Sequence, residues 1–266
     1  MAMATLETKS GIEVEDFRKD YLFGLPSTLR KNADWSSTFL YNKIRAAEDE
    51  LERTLGIYYQ PKRIVCEPEN RSVHPPLIKG TDYDVAEEAY DYDSQFFVGE
   101  NWGGIRVRHY PIHTTTKPTV TFAYPNIDHK IFTVPPEWIR LKGAYGQIRL
   151  VPASVTVYAS FTAFILSVFS GGRGIPQSVF VDYTAGFDGV NEKGDLEGDF
   201  MDLLELTKQL AVLNILDAAF LPNSTSNSAD GLSQSNSYSV KDFRTSYDKK
   251  LKSFMQKIKG IKLAVV

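Results

Sequence analysis

At 266 residues the chain is long enough for one large domain or two small ones, with a sizeable buried core. Its 42% hydrophobic and 24% charged composition is that of an ordinary soluble protein rather than a disordered or membrane one. A net charge of −3 argues against a general nucleic-acid binder, although local patches survive that average, and a single cysteine, Cys66, excludes a disulfide framework or a thiolate metal cluster.

Residues 1–33 read as an N-terminal arm. Glu13, Glu15, Asp16, Arg18, Lys19 and Asp20 surround only a few apolar anchors (Phe17, Tyr21, Leu22), and Pro26 and Ser27 punctuate its end. The charged and apolar regions of a secretory signal are missing from its start. A first helix is predicted over 34–55, with Asp34 as its N-cap and Leu40, Ile44, Ala47, Leu51 and Leu55 recurring at helical spacing. Gly56 suits the left-handed position that follows a last helical turn.

Residues 61–175 read as a mostly β insertion. Alternating runs at 105–110, 119–124, 131–134 and 146–150 stop at Pro111, Pro125, Pro135 and Pro152, the pattern of meandering antiparallel strands. Another strand begins at Val155, and 161–169 is so continuously apolar that its period does not separate a buried strand from a short helix. The apolar run 155–169 is too short to span a bilayer and carries Thr156, Ser160, Thr162 and Ser167.

A strand over 178–183 then leads through Ala185, Gly186 and Phe187 and an acidic approach (188–198) into a long helix over 199–221, capped by Asp199 and ended by Pro222. Leu203, Leu206, Leu210 and Leu213 form one line on it, and Leu204, Ala211, Ile215 and Ala218 the next. Asp202, Glu205, Lys208 and Gln209 cover only its first half, so from Leu210 onward the helix must be buried on several sides. Residues 223–239, rich in Ser and Asn, form a polar linker. A last helix over 240–258 carries the stripe Phe243, Tyr247, Leu251, Phe254 and Ile258. Six lysines and no acid lie between Lys249 and Lys262, and the tail 261–266 is apolar apart from Lys262. Those lysines suit a solvated face, or docking onto an acidic partner surface or nucleic-acid phosphates, with protein contact favoured.

Catalytic signatures do not emerge. His109 and His113 have metal-ligand spacing for a helix, but Pro111 lies between them in β surroundings. The acidic run Asp82, Asp84, Glu87, Glu88, Asp91 and Asp93 lacks the glycine and terminal spacing of an EF-hand and reads as a solvated face. Gly171, Gly172, Arg173 and Gly174 match neither a P-loop nor a dinucleotide-binding turn and read as a hinge or hairpin tip. Cys66 has no nucleophile context, and no Gly-x-Ser-x-Gly elbow occurs. The expectation is a non-enzyme without metal or cofactor, of α+β class. Its helical core (34–60 and 176–222) carries helices near 34–55 and 199–221, a β insertion fills 61–175, and a C-terminal helix and basic tail occupy 240–266.

The order of these elements resembles the head–tail connector (adaptor) proteins of tailed bacteriophages. The matching features are an Ala- and Glu-rich helix ending in Thr54-Leu55-Gly56 and the Pro-marked strands at 105–112 and 119–124. The Gly146-Gln147-Ile148-Arg149-Leu150 run, Val181-Asp182-Tyr183-Thr184-Ala185-Gly186-Phe187 and the helix with Asp202-Leu203-Leu204 complete the series. The resemblance covers roughly residues 34–221. The longer acidic section at 67–100 and the added C-terminal helix depart from the family pattern.

This resemblance implies a structural virion protein of the phage neck: a homo-oligomeric ring of twelve copies beneath the portal protein. Such a ring assembles in the host cytoplasm, binds tail or neck proteins, passes genomic DNA without sequence specificity and contacts no membrane. Portal or neighbour docking falls to Phe243, Tyr247, Leu251, Phe254, Ile258, Lys259 and Lys262. Contact between subunits falls to Phe161, Phe164, Ile165 and Phe169, with apolar surface of the long helix also hidden between copies. Two alternatives are another neck or tail-completion protein and a β-rich carbohydrate-binding or carbohydrate-acting protein, its sugar site lined by Trp102, Tyr110, Tyr124 and Trp138.

Overall fold

The computed structural model describes residues 7–22, 36–70, 75–92, 104–123, 130–151, 175–189, 198–218 and 240–259. The protein is α+β and divides into two compact units. One joins the two ends of the chain, Met1–Leu55 and Gly189–Val266; the other is the continuous stretch Gly56–Asp188.

The first unit is helical: α1 (Val14–Tyr21), α2 (Ser37–Leu55), α3 (Gly198–Ala218) and α4 (Val240–Lys259). The helix α2 forms where the apolar spacing requires it, and Leu40, Ile44, Ala47, Leu51 and Leu55 are all buried. Its cap is Ser36, whose Oγ accepts from the backbone N–H of Phe39 at 3.2 Å; the expected cap, Asp34, lies outside the described residues. Gly56, at φ 70°, takes the left-handed position expected after α2.

The two helices far apart in sequence, α2 and α3, pack together, and α1 and α4 also lie against α3. That placement explains why α3 is apolar on several faces: Leu203, Leu206, Leu210, Ala211, Val212, Leu213 and Ile215 are all buried. Asp199 is not the cap. It sits one residue inside the helix, and its carboxylate reaches Lys257 of α4 at 2.6 Å. Asp202 also pairs with Lys257 at 2.9 Å, and Asp217 with Arg244 at 2.5 Å, so α4 runs antiparallel to α3. The N-terminal residues are more than an arm. Phe17, Ile12 and Leu22 are buried, and α1 contacts both α2 and α3, because these few anchors meet an apolar surface that α3 alone leaves open.

The second unit is β. Among the described residues its strands are β1 (Lys62–Cys66), β2 (Val85–Glu87), β3 (Tyr90–Tyr92), β4 (Gly104–Arg106), β5 (Thr119–Ala123), β6 (Lys130–Thr133), β7 (Ile139–Lys142), β8 (Gln147–Leu150) and β9 (Ile175–Ala185). The larger sheet has the order β2-β1-β9-β5-β6, with β3 paired to the first half of β9 beside β1. A smaller antiparallel sheet has the order β4-β8-β7. One apolar core joins the two: Ile64, Val120, Val179 and Val181 from the larger sheet with Ile105, Ile139, Ile148 and Leu150 from the smaller, around Trp138.

Three expectations change here. The strand at 178–183, expected in the helical core, is not part of it. It is instead the centre of the β unit, because Val179, Val181, Tyr183 and Ala185 alternate into the core while both edges of β9 are paired. The insertion is not a simple meander, since β1 and β2 run parallel. The strand expected over 105–110 ends at Arg106, and the chain then turns through a cis Tyr110–Pro111 bond. The apolar run 155–169, the glycines at 171–174 and the linker 223–239 lie outside the described residues.

The end of β9 is held by a close backbone crossing. Gly186, at φ 138°, donates to the carbonyl of Pro111 at 2.9 Å, and a Cβ there would stand 2.4 Å from the carbonyl oxygen of Gln60. Gly186→Ala is therefore expected to destabilise the protein by about 2 kcal/mol or more, read as a lowered midpoint in chemical denaturation. A midpoint equal to that of the wild type would show the crossing to be loose.

Candidate functional site

The densest polar constellation lies inside the β unit, at the end of β2. Glu87 is buried, and its two carboxylate oxygens are divided between two tyrosines: Tyr183 Oη donates to Oε1 and Tyr90 Oη to Oε2, each at 2.8 Å. Each hydroxyl also accepts a backbone N–H from the turn after β4, Tyr90 from Arg108 at 3.1 Å and Tyr183 from His109 at 3.3 Å. His109 Nε2 stands 3.4 Å from Glu87 Oε1 and 3.3 Å from Tyr58 Oη. Arg108 lies over the Tyr90 ring, 4.6 Å from its centroid, and donates to the carbonyl of Glu88 at 2.5 Å. Strands β2, β3 and β9 and the 107–110 turn are thus tied through one carboxylate.

The electrostatics follow from burial. Desolvation, with the Glu87 charge beside them, raises both Tyr90 and Tyr183 well above the ordinary phenol range, so both remain donors. Burial lowers His109 below its ordinary value, against the opposing pull of Glu87. Glu87, Tyr90 and Tyr183 satisfy one another and the backbone. A carboxylate beside an imidazole can serve in acid–base catalysis, but here its oxygens are occupied by hydroxyls of the same chain, and the arrangement acts as a clasp between strands.

A second buried carboxylate performs the same task in the helical unit. Glu48, fully buried on α2, accepts from the backbone N–H of Ser10 at 2.8 Å, from Ser10 Oγ at 2.5 Å, from the N–H of Lys9 at 3.2 Å and from Arg45 at 3.2 Å. Lys9 Nζ adds bonds to Asp49 at 2.6 Å and Glu52 at 2.5 Å. Burial opposes the charge on Lys9, but the two carboxylates outweigh it and its pKa lies above the ordinary value. Tyr21 donates to Glu205 of α3, so the N-terminal segment is fastened at both ends.

The residues expected to dock on a portal or neighbour are mostly used within the subunit. Tyr247, Phe254 and Ile258 are buried, Leu251 is half-buried, and only Phe243 remains exposed at 37%. The reason is the packing of α4 on α3, which turns this stripe inward. Lys259 ends α4, but its side chain lies outside the described residues, as do Lys262, Phe161, Phe164, Ile165 and Phe169. The apolar surface of α3, expected to be hidden between copies, is covered by helices of its own chain.

The other candidates separate. His113 pairs with Asp188 at 3.3 Å and His109 with Glu87, so the two histidines do not converge. Among the described residues no group of three or more His, Cys, Asp or Glu is placed to hold a metal ion. Cys66 is buried, its sulfur 3.3 Å from the Val181 N–H. The acidic run is only partly a solvated face. Glu87 is internal, Asp84 accepts from the N–H of Arg63 at 2.8 Å, and Asp91 accepts from that of Gln177 at 3.0 Å, where Gln177 has a φ of 51°. Trp138 is fully buried and Tyr110 nearly so, which removes both from a sugar-binding surface; Trp102 and Tyr124 lie outside the described residues. An open groove between α2 and α3, lined by Lys43, Asp49, Glu50, Arg53 and Asp217, mixes both signs of charge and offers no enclosed cavity.

Glu48→Ala leaves the Ser10 donors buried without their acceptor. It is expected to cost about 3 kcal/mol and to speed proteolysis within residues 7–22. Unchanged stability and cleavage would mean that the segment is held by its apolar anchors alone. For His109, the folded state disfavours the protonated form, so stability is complete above the unfolded value of 6.5 and falls as pH drops below it. His109→Asn is expected to flatten this part of the stability–pH curve, measured by urea unfolding at a series of pH values. Parallel curves would remove His109 as the cause.

No protein-family model matches the chain, and no curated protein matches it.

Proposed function

We propose that the protein is a structural component of a tailed-phage particle, a head-to-tail connector of the neck that joins capsid to tail. The observation that carries this is the division of the chain. Its two ends close into one helical unit around α3, and the continuous stretch between them forms a β unit of its own. The resemblance likewise implies a β stretch between helical segments, and this division supports that reading, with β9 in the β unit rather than in the helical core. The polar clusters around Glu87 and Glu48 support the same reading, because their hydrogen-bonding groups are committed to holding elements of the chain together.

In this role the protein forms a ring, of twelve copies by the family pattern, beneath the portal, with tail or neck proteins attached below and genomic DNA passing through. Since the α3 surface and most of the α4 stripe are internal, contacts between copies and with the portal fall to other surfaces. Phe243 and Met201, exposed at 37% and 48%, are the large apolar residues that the helical unit leaves outward among those described.

The test is mass measurement of the purified protein alone and mixed with portal rings of its own virus. A discrete ring, or a stoichiometric complex with the portal, is the expected outcome. A protein that stays monomeric at every concentration and never joins portal rings would sink the proposal.

A further inference from the structure

Among the described residues of the β unit, the large apolar side chains left exposed are Ile78 at 60%, Val151 at 45% and Tyr145 at 40%. Ile78 is held on a turn whose backbone is fixed. Its N–H donates to Asp82 Oδ2 at 2.8 Å, and its carbonyl accepts from the N–H groups of Asp82 at 2.8 Å and Thr81 at 3.2 Å. Gly80 donates to the Tyr83 carbonyl at 2.7 Å, and the foot of the turn is tied to β1 where the Asp84 N–H meets the Arg63 carbonyl at 2.8 Å. Pro75 and Pro76, both exposed, restrict the approach. The entropy of ordering Ile78 is thus already lost, while its side chain gains little burial within its own chain. A rigid apolar projection of this kind lowers the cost of seating it on a partner.

We propose that the partner is a second copy of the chain, which receives Ile78 on the outward face of its small β4-β8-β7 sheet. Val151 continues β8, its N–H donating to the Trp138 carbonyl at 2.7 Å, and it shares the outward side with Arg149 because Ile148 and Leu150 face the core. Beyond it the same face carries Arg149 and Arg140 in one row and Lys142 in the next, all exposed, with Tyr145 past the far end of β8. Arg106 on this face is engaged within its own chain and is not counted. The three strands hold no acid, and Glu137, just before β7, is the closest along the chain. The Ile78 side bears the opposite charge. Asp84 and Glu88 are exposed on one side of β2 with Ala86 between them, and Asp91 is exposed on β3; against them stand Lys79 and Arg63. Each surface thus runs from an aliphatic residue into a row of charges, one mainly acidic and the other basic, and this complementarity selects the second copy as occupant. Ile78 against Val151 supplies the apolar anchor, and the charges fix the register. One surface lies at a sheet edge and the other on a sheet face, so each copy offers its turn to one neighbour and its sheet to another. Closure of such contacts into a ring rests on the connector reading; the contact itself stands on these residues.

The experiment is sedimentation velocity of the full-length protein over a concentration series, for the wild type and two variants. The wild type is expected to associate beyond the dimer, and to do so more weakly as salt rises from about 50 to about 500 mM. Ile78→Lys sets a cation against the basic sheet, and Val151→Gln removes the apolar seat. Each alone is expected to weaken association about tenfold or more. Mixed together, the variants still share one intact pair of surfaces, the turn of the Val151→Gln chain and the sheet of the Ile78→Lys chain. The mixture is therefore expected to form a dimer and stop there, which also shows both variants to be folded. A wild type that stays monomeric, or variants that associate as the wild type does, would overturn the proposal. So would a mixture that stays monomeric although both variants keep the wild-type unfolding midpoint. Portal rings, added in a second arm, separate the contact from the connector reading. A monomer that binds them through Ile78 overturns the contact and leaves the connector standing. Self-association through these surfaces without portal binding upholds the contact and removes the connector.

Discussion

The β unit depends on one strand being paired along both edges. In β9, Thr119–Phe122 of β5 lie along one side, while β1 and β3 share the other. A strand so placed has no edge to satisfy with water, and its alternate side chains must fill the core. Val179 and Val181 meet that requirement as β-branched residues, and Tyr183 meets it by carrying its hydroxyl to Glu87. The buried carboxylate is therefore a consequence of the strand arrangement. Three strands and a turn converge there, and their polar groups need a common acceptor.

The helical unit meets a comparable demand differently. A helix apolar around most of its circumference cannot be stable at a surface, and α3 is enclosed by α1, α2 and α4. In the antiparallel pair, acids at both ends of α3 meet Lys257 and Arg244 of α4. These pairs are exposed and contribute little each beside the apolar packing of the two helices. Because the chain meets its own requirement for burial, any assembly it enters must be driven by other surfaces.

How much of this was legible in the sequence depended on period. Helices α2, α3 and α4 declared themselves within a few residues of their ends, because a stripe such as Leu40, Ile44, Ala47, Leu51 and Leu55 has no other reading, whereas α1 read as an arm. Strands bounded by proline were also legible. What escaped were β1 and β7 and the short strands in polar sequence, β2, which pairs with β1, and β3, whose partner β9 lies far along the chain. The site escaped for the same reason: nothing local distinguishes Glu87 from its exposed acidic neighbours. Glu48 was readable in principle, since it falls between Ile44 and Leu51 on the buried stripe, and a charge there requires a partner.

Closing a helical unit from both chain ends imposes an order on biosynthesis. The first two helices leave the ribosome long before the third, which supplies most of their apolar contacts, and the β unit emerges complete in between. A nascent chain can thus finish its middle while its beginning waits, with the stripe of α2 bare to other growing chains or to chaperones. The Ser10–Glu48 and Lys9–Asp49 bonds lie wholly within the first 55 residues, so they can fasten the early segment to α2 throughout that interval.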